Sequence, residues 1–346
     1  MHRAVGPTLM AMTCDEQSQA SSDAPDCDVV NERSAPSPSS QAFRVSMIEA
    51  LARTPRITSP KWFYDERGSK LFEEICDLDE YYVTRTELAI FDACLEEVAS
   101  LVGPGCVVFE PGSGEGIKTS RLLAALESPR AYVAIDVAAR QLEQTAARLR
   151  RAHKGLRVAS LHADFMTVRA LPDFEGPPPK RLAFFPGSTL GNFEAEAALR
   201  VLRRLGELAG PRGQLLLGVD LVKDTGVLER AYDDALGVTA AFNLNLLVRM
   251  QRELDARVDV DAWSHRAIFD REESRIEMQL ESKRRQTIQI GDHRFDFEAG
   301  EVIVTEYSHK YTLEGIADLT RAAGFETRRV FVDAREWFAV LLLARA

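Results

Sequence analysis

The sequence predicts an α/β protein on a doubly wound sheet, interrupted by an inserted second domain of α+β character. Three observations carry this. Short apolar runs alternate with helical stretches from about residue 100 to Asp220. Beyond Asp220 the rhythm breaks, and a period-two pattern with a turn signal appears around Gly291-Asp292. It resumes near Leu313 with one helix and two strands. Strands separated by helices imply right-handed crossovers and a parallel sheet covered on both faces.

Each element has its own signal. Residues 106–110 (CVVFE) form an apolar strand ending in an acid, followed by Gly112, Gly114 and Gly116 and a helix carrying Leu122, Leu123 and Leu126. Residues 132–137 are the next strand; Leu142, Ala146 and Leu149 then recur at helical period. Residues 158–161 and 182–185 read as strands, the second leading into the turn GSTLGN. Ala198, Val201, Leu202 and Leu205 make a helical stripe before the strand 215–219, which ends at Asp220. Ile288, Ile290, Phe295 and Phe297 alternate with polar residues across a Gly-Asp turn, the pattern of a hairpin. Leu313, Ile316 and Leu319 form a helix stopped by Gly324. Runs 329–332 and 337–343 are joined too closely for a parallel crossover, so they pair antiparallel.

Composition narrows the function classes. The chain has 346 residues, 45% hydrophobic and 28% charged, with net charge −10. That length suits about two domains of ~150 residues. The acidic balance argues against a nucleic-acid binder, and no run approaches the ~18 apolar residues of a membrane span. Residues 1–40 are rich in Ser, Asp, Ala and Pro and read as a disordered tail. No secretory signal is evident. Cys14, Cys27, Cys76, Cys94 and Cys106 are odd in number and scattered, and His162, His265, His293 and His309 form no ligand-like pair. The expectation is a reduced, cytoplasmic monomer with no metal.

The strand–GSGEG–helix segment is the most informative local feature. Its glycines let backbone approach a ligand, and the helix N-terminus beyond offers free N–H groups. Asp136 ends the next strand, where an acid can accept from ribose hydroxyls. Asp164 and Phe165 follow the third strand and would sit near an adenine. Glu110, Gly112, Gly114 and Gly116 spell E-x-G-x-G-x-G, which resembles motif I of class I S-adenosylmethionine-dependent methyltransferases. The terminal antiparallel pair resembles the last hairpin of that fold. Taken alone, the glycines suit a plain turn, Asp136 a helix cap and Phe165 the core.

Longer segments resemble one family within that fold, the histidine-specific methyltransferases that form hercynine on the ergothioneine pathway. They are KWFYD at 61–65, GSKLFEEI at 68–75, EYYVTRTE at 80–87, FEPGSGEGIKT at 109–119, GSTLGNF at 187–193, GVDLVKDTG at 218–226, AYDDALGVTAAFNLNLL at 231–247, IEM at 276–278 and TEYSHKY at 305–311. Pro186 and the segment around His309 depart from the family's pattern. The resemblance implies S-adenosylmethionine as methyl donor and L-histidine as substrate, methylated three times on its α-nitrogen. It implies cofactor binding by Gly112, Gly114, Lys118, Asp136, Asp164 and Phe165. It implies histidine binding by Tyr81, Asn192, Tyr232, Glu306 and Ser308, with Tyr64, Thr239, Phe242 and Met278 lining the pocket. Tyr64 and Asn192 carry the catalytic expectation. The expected division is a substrate-binding domain of residues 41–84 and 223–309, and a methyltransferase domain of residues 85–222 and 310–346.

Chemistry supports those residue types. Glu306 and Ser308, two apart on a strand, point to the same side and can meet both nitrogens of an imidazole. Phe242 and Tyr64 can face a growing positive charge. Outside the family context Glu306 reads as an edge-strand charge, Ser308 as a solvated hydroxyl, Asn192 as a turn residue, and Tyr232, Phe242 and Met278 as core. Other functions stay open on residues alone: a methyltransferase for a different amino acid or imidazole amine, an NAD-dependent oxidoreductase, or a non-catalytic binding module. The glycine spacing disfavours the oxidoreductase.

Overall fold

The computed structural model describes residues 38–174 and 178–346. The tail expected to be disordered lies outside the described residues up to position 37. Its last three residues are helical instead: α1 runs Pro38–Leu51. Proline has a pre-set φ and no N–H to lose at a helix start, so it opens this helix at no cost.

A 3-10 turn (Pro60–Phe63), α2 (Glu66–Asp77) and the long α3 (Tyr82–Val102) precede the sheet. Asp65 caps α2, its carboxylate accepting from the Gly68 N–H at 2.6 Å. Then follow β1 (Val107–Pro111), α4 (Ile117–Ala125), β2 (Ala131–Asp136), α5 (Ala139–Ala152), β3 (Arg157–His162) and β4 (Arg181–Phe185). A second 3-10 turn (Thr189–Asn192), α6 (Ala195–Ala209) and β5 (Gln214–Asp220) complete the alternating part. Every residue of β1 is buried, as a strand covered on both faces must be.

The chain then leaves the sheet. It forms α7 (Thr225–Tyr232), α8 (Val238–Leu254), β6 (Trp263–Asp270), β7 (Arg275–Ser282), β8 (Gln286–Ile290), β9 (His293–Phe297) and β10 (Val302–His309). The predicted hairpin is β8–β9, with Ile290 opposite His293. A separate three-stranded sheet has the order β10-β7-β6. The chain returns through α9 (Leu313–Ala322), β11 (Phe325–Val332) and β12 (Phe338–Arg345).

The main sheet has seven strands in the order β11-β12-β5-β4-β1-β2-β3. β1 to β5 run parallel, while β12 is antiparallel to both β5 and β11. Tyr311 marks the return: its N–H donates to the Asp220 carbonyl at 2.9 Å, and its own carbonyl accepts from Val222 at 3.0 Å. The chain therefore leaves and re-enters the main sheet at the carboxyl end of β5. Among the described residues, no helix is long and apolar enough to cross a membrane.

Candidate active site

The glycine loop sits at the carboxyl end of β1. The Gly112 N–H donates to the Ile135 carbonyl at 2.8 Å, tying the loop to β2. Gly112 and Gly114 have φ of +72° and +48°, and a Cβ built on either meets nothing within 4 Å. The loop thus bounds open space that only glycines in this conformation leave free. Gly116 serves packing instead, since a Cβ there would lie 2.9 Å from Thr145 Cγ2 on α5. Beneath the loop, buried Glu110 accepts from Thr119 Oγ1 and from the Tyr132 hydroxyl, both at 2.6 Å. Burial pushes its carboxyl up to about 8, against the pull of those two bonds.

Asp136 ends β2 beside this space, its Oδ1 accepting from the Ala138 N–H at 2.9 Å. Burial raises its carboxyl above the ordinary value. Exposed Asp164 accepts from the Met166 N–H at 2.9 Å, and Phe165 packs on Phe185 with centroids 6.2 Å apart. The carboxyl ends of β1, β2 and β3 thus supply the loop, the acid and the ring side by side, where ligands bind in open α/β sheets. The open glycines, the α4 N-terminus and the Asp136 carboxylate fit an adenosine-bearing donor.

Lys118, near the start of α4, is held by a buried acid. Its ammonium pairs with Glu87 at 2.6 Å. Glu87, on α3 and fully buried, also accepts the Gly187 N–H at 2.9 Å through both oxygens. One carboxylate therefore joins α3, α4 and the turn after β4. It needs Gly218 beneath it, because a Cβ there would stand 1.9 Å from Glu87 Oε1.

The opposite wall is built on β10. Glu306 faces Met278 across the ladder and Ser308 faces Ile276, so the two share one side as their spacing predicts. Glu306 is half-buried and has no hydrogen-bond or ion-pair partner among the described residues. Burial pushes its carboxyl up to about 7, while Lys310 pulls it down. Ser308 Oγ lies 2.8 Å from the Tyr232 hydroxyl. Lys310, two residues further on, donates to Ser308 Oγ at 2.7 Å and to the Tyr232 hydroxyl at 2.9 Å. It also pairs with Asp220 Oδ2 at 2.9 Å.

Asp220 is the centre of a wholly buried charge cluster. Lys223 reaches its Oδ1 at 2.5 Å, and the Tyr82 hydroxyl donates to its Oδ2 at 2.8 Å. Burial works against its charge, but Lys310 and Lys223 hold Asp220 below the usual carboxylate range. Burial brings Lys223 down to about 8. Burial also opposes the charge on Lys310, yet Asp220 and Tyr232 raise it above the ordinary lysine value, so Lys310 stays a cation.

Aromatic rings fill the space between the two walls. Tyr64 lies edge-on to Phe72 and Phe242, with centroids 5.5 and 5.8 Å away. Tyr81 lies edge-on to Phe72 at 6.2 Å and to Tyr232 at 6.1 Å. Burial, with Glu306 adding to it, drives the Tyr64 phenol well above its ordinary value. The Asp136 carboxylate adds a smaller push in the same direction. Burial raises Tyr81 similarly.

Asn192 closes the second 3-10 turn and is half-buried. Its turn is fixed to β10: His309 Nδ1–H donates to the Gly191 carbonyl at 2.9 Å, and a Cβ on Gly191 would strike the His309 carbonyl oxygen at 2.7 Å. Thr239 opens α8, its N–H donating to Asp234 Oδ1 at 2.7 Å. Phe242 and Met278 are buried, at 3% and 2% exposure.

One further hub holds these elements together. Asn243 Nδ2 donates to His265 Nδ1 at 2.9 Å and to the Gln279 carbonyl at 3.1 Å. Its Oδ1 accepts from Thr305 Oγ1 at 2.7 Å. His265 Nε2–H donates to the Tyr232 carbonyl at 2.8 Å. Burial lowers His265 below the ordinary imidazole value, so it sits neutral between these partners.

The structure thus gathers Tyr64, Tyr81, Tyr232, Phe242, Met278, Glu306 and Ser308 on one side of the cleft. Gly112, Gly114, Asp136, Asp164 and Phe165 lie at the three strand ends. Sequence reasoning missed Glu87, Tyr82, Asp220, Lys223, Asn243, His265 and Lys310. Asp220 closes an apolar strand just as Asp136 does, and Lys310 continues the two-residue spacing of Glu306 and Ser308; either signal would have found the cluster.

An open glycine loop, an acid ending β2 and an antiparallel last strand inserted beside β5 define a class I S-adenosylmethionine-dependent methyltransferase. A family model described as histidine-specific, SAM-dependent methyltransferase matches residues 43–345. The chain is 40% identical over 309 residues to a histidine N-alpha-methyltransferase of Mycobacterium tuberculosis (strain CDC 1551 / Oshkosh), covering 88% of this chain and 95% of that one. It is 38% identical over 310 residues to one from Mycolicibacterium smegmatis, with the same coverage. It is 29% identical over 299 residues to ergothioneine biosynthesis protein 1 of Neurospora crassa, spanning 84% of this chain and 33% of that protein. The chain belongs to the histidine-specific, SAM-dependent methyltransferase family.

Proposed function

We propose that this chain methylates the α-nitrogen of L-histidine three times, giving hercynine for ergothioneine biosynthesis. The observation that carries the reading is Glu306, a half-buried carboxylate with no hydrogen-bond or ion-pair partner among the described residues, beside a hydroxyl held by Lys310. A carboxylate taken partly out of water without a partner is costly unless a ligand meets it, and an imidazole N–H would do so. Asn192 and Tyr232 suit the amino-acid head group.

S-adenosylmethionine, when bound, supplies a methyl group on a sulfonium for in-line displacement. Gly112 and Gly114 would let backbone lie against it, Asp136 would accept from its ribose, and Asp164 with Phe165 would border its adenine. Lys118 would act through Glu87 by holding α4 to the 187 turn. Holding amine and methyl in line can supply up to ~7–11 kcal/mol of barrier reduction. Tyr64 keeps its proton, so it serves as a donor or as a relay through water rather than as a base. The ring faces of Tyr64 and Phe242 would stabilise the charge that grows on nitrogen, worth ~0.5–2 kcal/mol. Residues 41–84 and 223–309 would form the substrate-binding part and residues 85–222 and 310–346 the methyltransferase part.

Incubation of the protein with S-adenosylmethionine and each of the twenty amino acids tests the reading. Histidine should gain one, two and three methyl masses in succession. Turnover of another amino acid without histidine would overturn it.

A further inference from the structure

The hydroxyl of Ser308 has two lone pairs and one proton to distribute. Lys310 Nζ stands 2.7 Å from it and 2.9 Å from the Tyr232 oxygen, and these two oxygens are 2.8 Å apart. An ammonium has only protons to give, so it occupies one lone pair on each oxygen. A phenol is a stronger acid and a poorer acceptor than an alkyl hydroxyl. With one of its lone pairs already taken by Lys310, Tyr232 is the donor to Ser308. Both lone pairs of Ser308 are then filled, and its single proton is left facing the cleft beside Glu306.

We propose that Lys310 is the positioning residue that makes Ser308 a hydrogen-bond donor only, so that the site selects a nitrogen heterocycle with one ring N–H for Glu306 and one unprotonated ring nitrogen for Ser308. On the histidine reading above, on which this rests, the ring is taken as neutral imidazole in a single tautomer. A charged imidazolium would bring a second N–H against the Ser308 proton. Lys310 itself touches no substrate. Its charge is fixed by Asp220, whose other partners, Lys223 and Tyr82, remain when Lys310 is replaced.

The test is calorimetric binding of histidine and of 3-(1,2,4-triazol-3-yl)alanine in the presence of S-adenosylhomocysteine, from about pH 7.5 to about pH 5.5. The triazole ring stays neutral over this range, whereas an imidazole titrates near ~6.5. Glu306, Asp220, Lys223, Tyr64, Tyr81, Tyr82, Tyr232 and Tyr311 face the cluster, with His265 behind Tyr232, while Arg275 and Glu277 pair with His309 and Tyr307 on the other face of the sheet. Groups that do not touch the ring act on both ligands and cancel in the ratio of dissociation constants, and the same titration in Glu306→Gln removes the one group that does touch it. For the unaltered protein the histidine-to-triazole ratio should rise about tenfold on acidification. In Lys310→Met a lone pair on Ser308 is released, and the ratio should change less than about twofold. Tyr232→Phe releases the other lone pair and should flatten the ratio in the same way, which keeps the test alive should Lys310→Met not fold. A flat ratio in the unaltered protein, or a tenfold rise kept in both variants, overturns the proposal. Failure of both ligands to bind a protein that still binds S-adenosylhomocysteine overturns the histidine reading, and this proposal with it.

Discussion

Exchanging Glu306 for glutamine keeps the shape of the side chain and removes its charge. A hydrogen bond to a charged group is worth ~1.5–3 kcal/mol, so Glu306→Gln should raise KM for histidine by roughly 10- to 100-fold. S-adenosylhomocysteine affinity should be unchanged, because Glu306 lies on β10, away from the glycine loop. Steady-state kinetics with a separate binding titration checks both. Glu110 makes a different prediction. Its folded carboxyl is raised to about 8 from an ordinary value of 4.5, so the folded state holds a proton that the unfolded chain has lost. The stability it contributes is fully present below the ordinary value and is lost as pH rises toward 8, by at most ~1.4 kcal/mol per unit. Glu110→Gln keeps an oxygen for Thr119 and Tyr132. It should melt increasingly above the parent as pH is raised from about 5 to about 8, measured by thermal unfolding. At this scale the paired positions of Glu306 and Ser308 were legible because a strand's period is two. The role of Lys310 was not, because a lysine in sequence shows its charge but not the carboxylate that buries it.

The joints between elements depend on small residues and on amides that sequence alone leaves mute. Gly218 lies under Glu87, and a methyl there would occupy the place of a carboxylate oxygen. Gly218→Ala should therefore cost about 3 kcal/mol as overpacking. It should also weaken S-adenosylhomocysteine binding through the detached Gly187 turn and Lys118, as melting and titration together would show. Asn243 joins α8 to β6, β7 and β10. Asn243→Leu leaves His265 Nδ1 without its donor, at ~1–3 kcal/mol, while the Thr305 hydroxyl keeps the Met278 carbonyl at 3.0 Å. A loss of unfolding free energy by that amount, read from a denaturant titration, is the expected result. The central strands of the main sheet were readable because strands covered on both faces are nearly unbroken apolar runs. The sheet β10-β7-β6 was not, because its strands mix buried Glu277, Gln279, Thr305 and Ser308 among apolar residues. Ser308 serves the site and Thr305 the hub, while Glu277 takes hydrogen bonds from Arg275 and Gln279 on the other face, and together they blur the alternation by which strands are recognised.

For the molecule as a whole, Tyr64 packs edge-on to Phe242 at 5.8 Å on the substrate side. In-line transfer sets the amine against the donor's methyl group, so ligands on the two walls should help one another. Saturating S-adenosylhomocysteine is expected to tighten histidine binding about fivefold or more, and by linkage histidine should tighten S-adenosylhomocysteine equally. Tyr64→Phe should shrink that factor, read by calorimetry in either order of addition.

The crossing at Tyr311 has a consequence for descent. The excursion between Val222 and Lys310 leaves and returns through adjacent hydrogen bonds at the tip of β5, so no strand of the main sheet is threaded by it. Such a segment can be exchanged like a tool head on a fixed handle. A related enzyme's excursion grafted between these positions would replace Tyr232, Phe242, Glu306 and Ser308 together, while Tyr64, Tyr81, Asn192 and the methyl-donor side stayed with the handle. Specificity in this architecture can thus drift by replacement of a cassette, without renegotiating the sheet beneath.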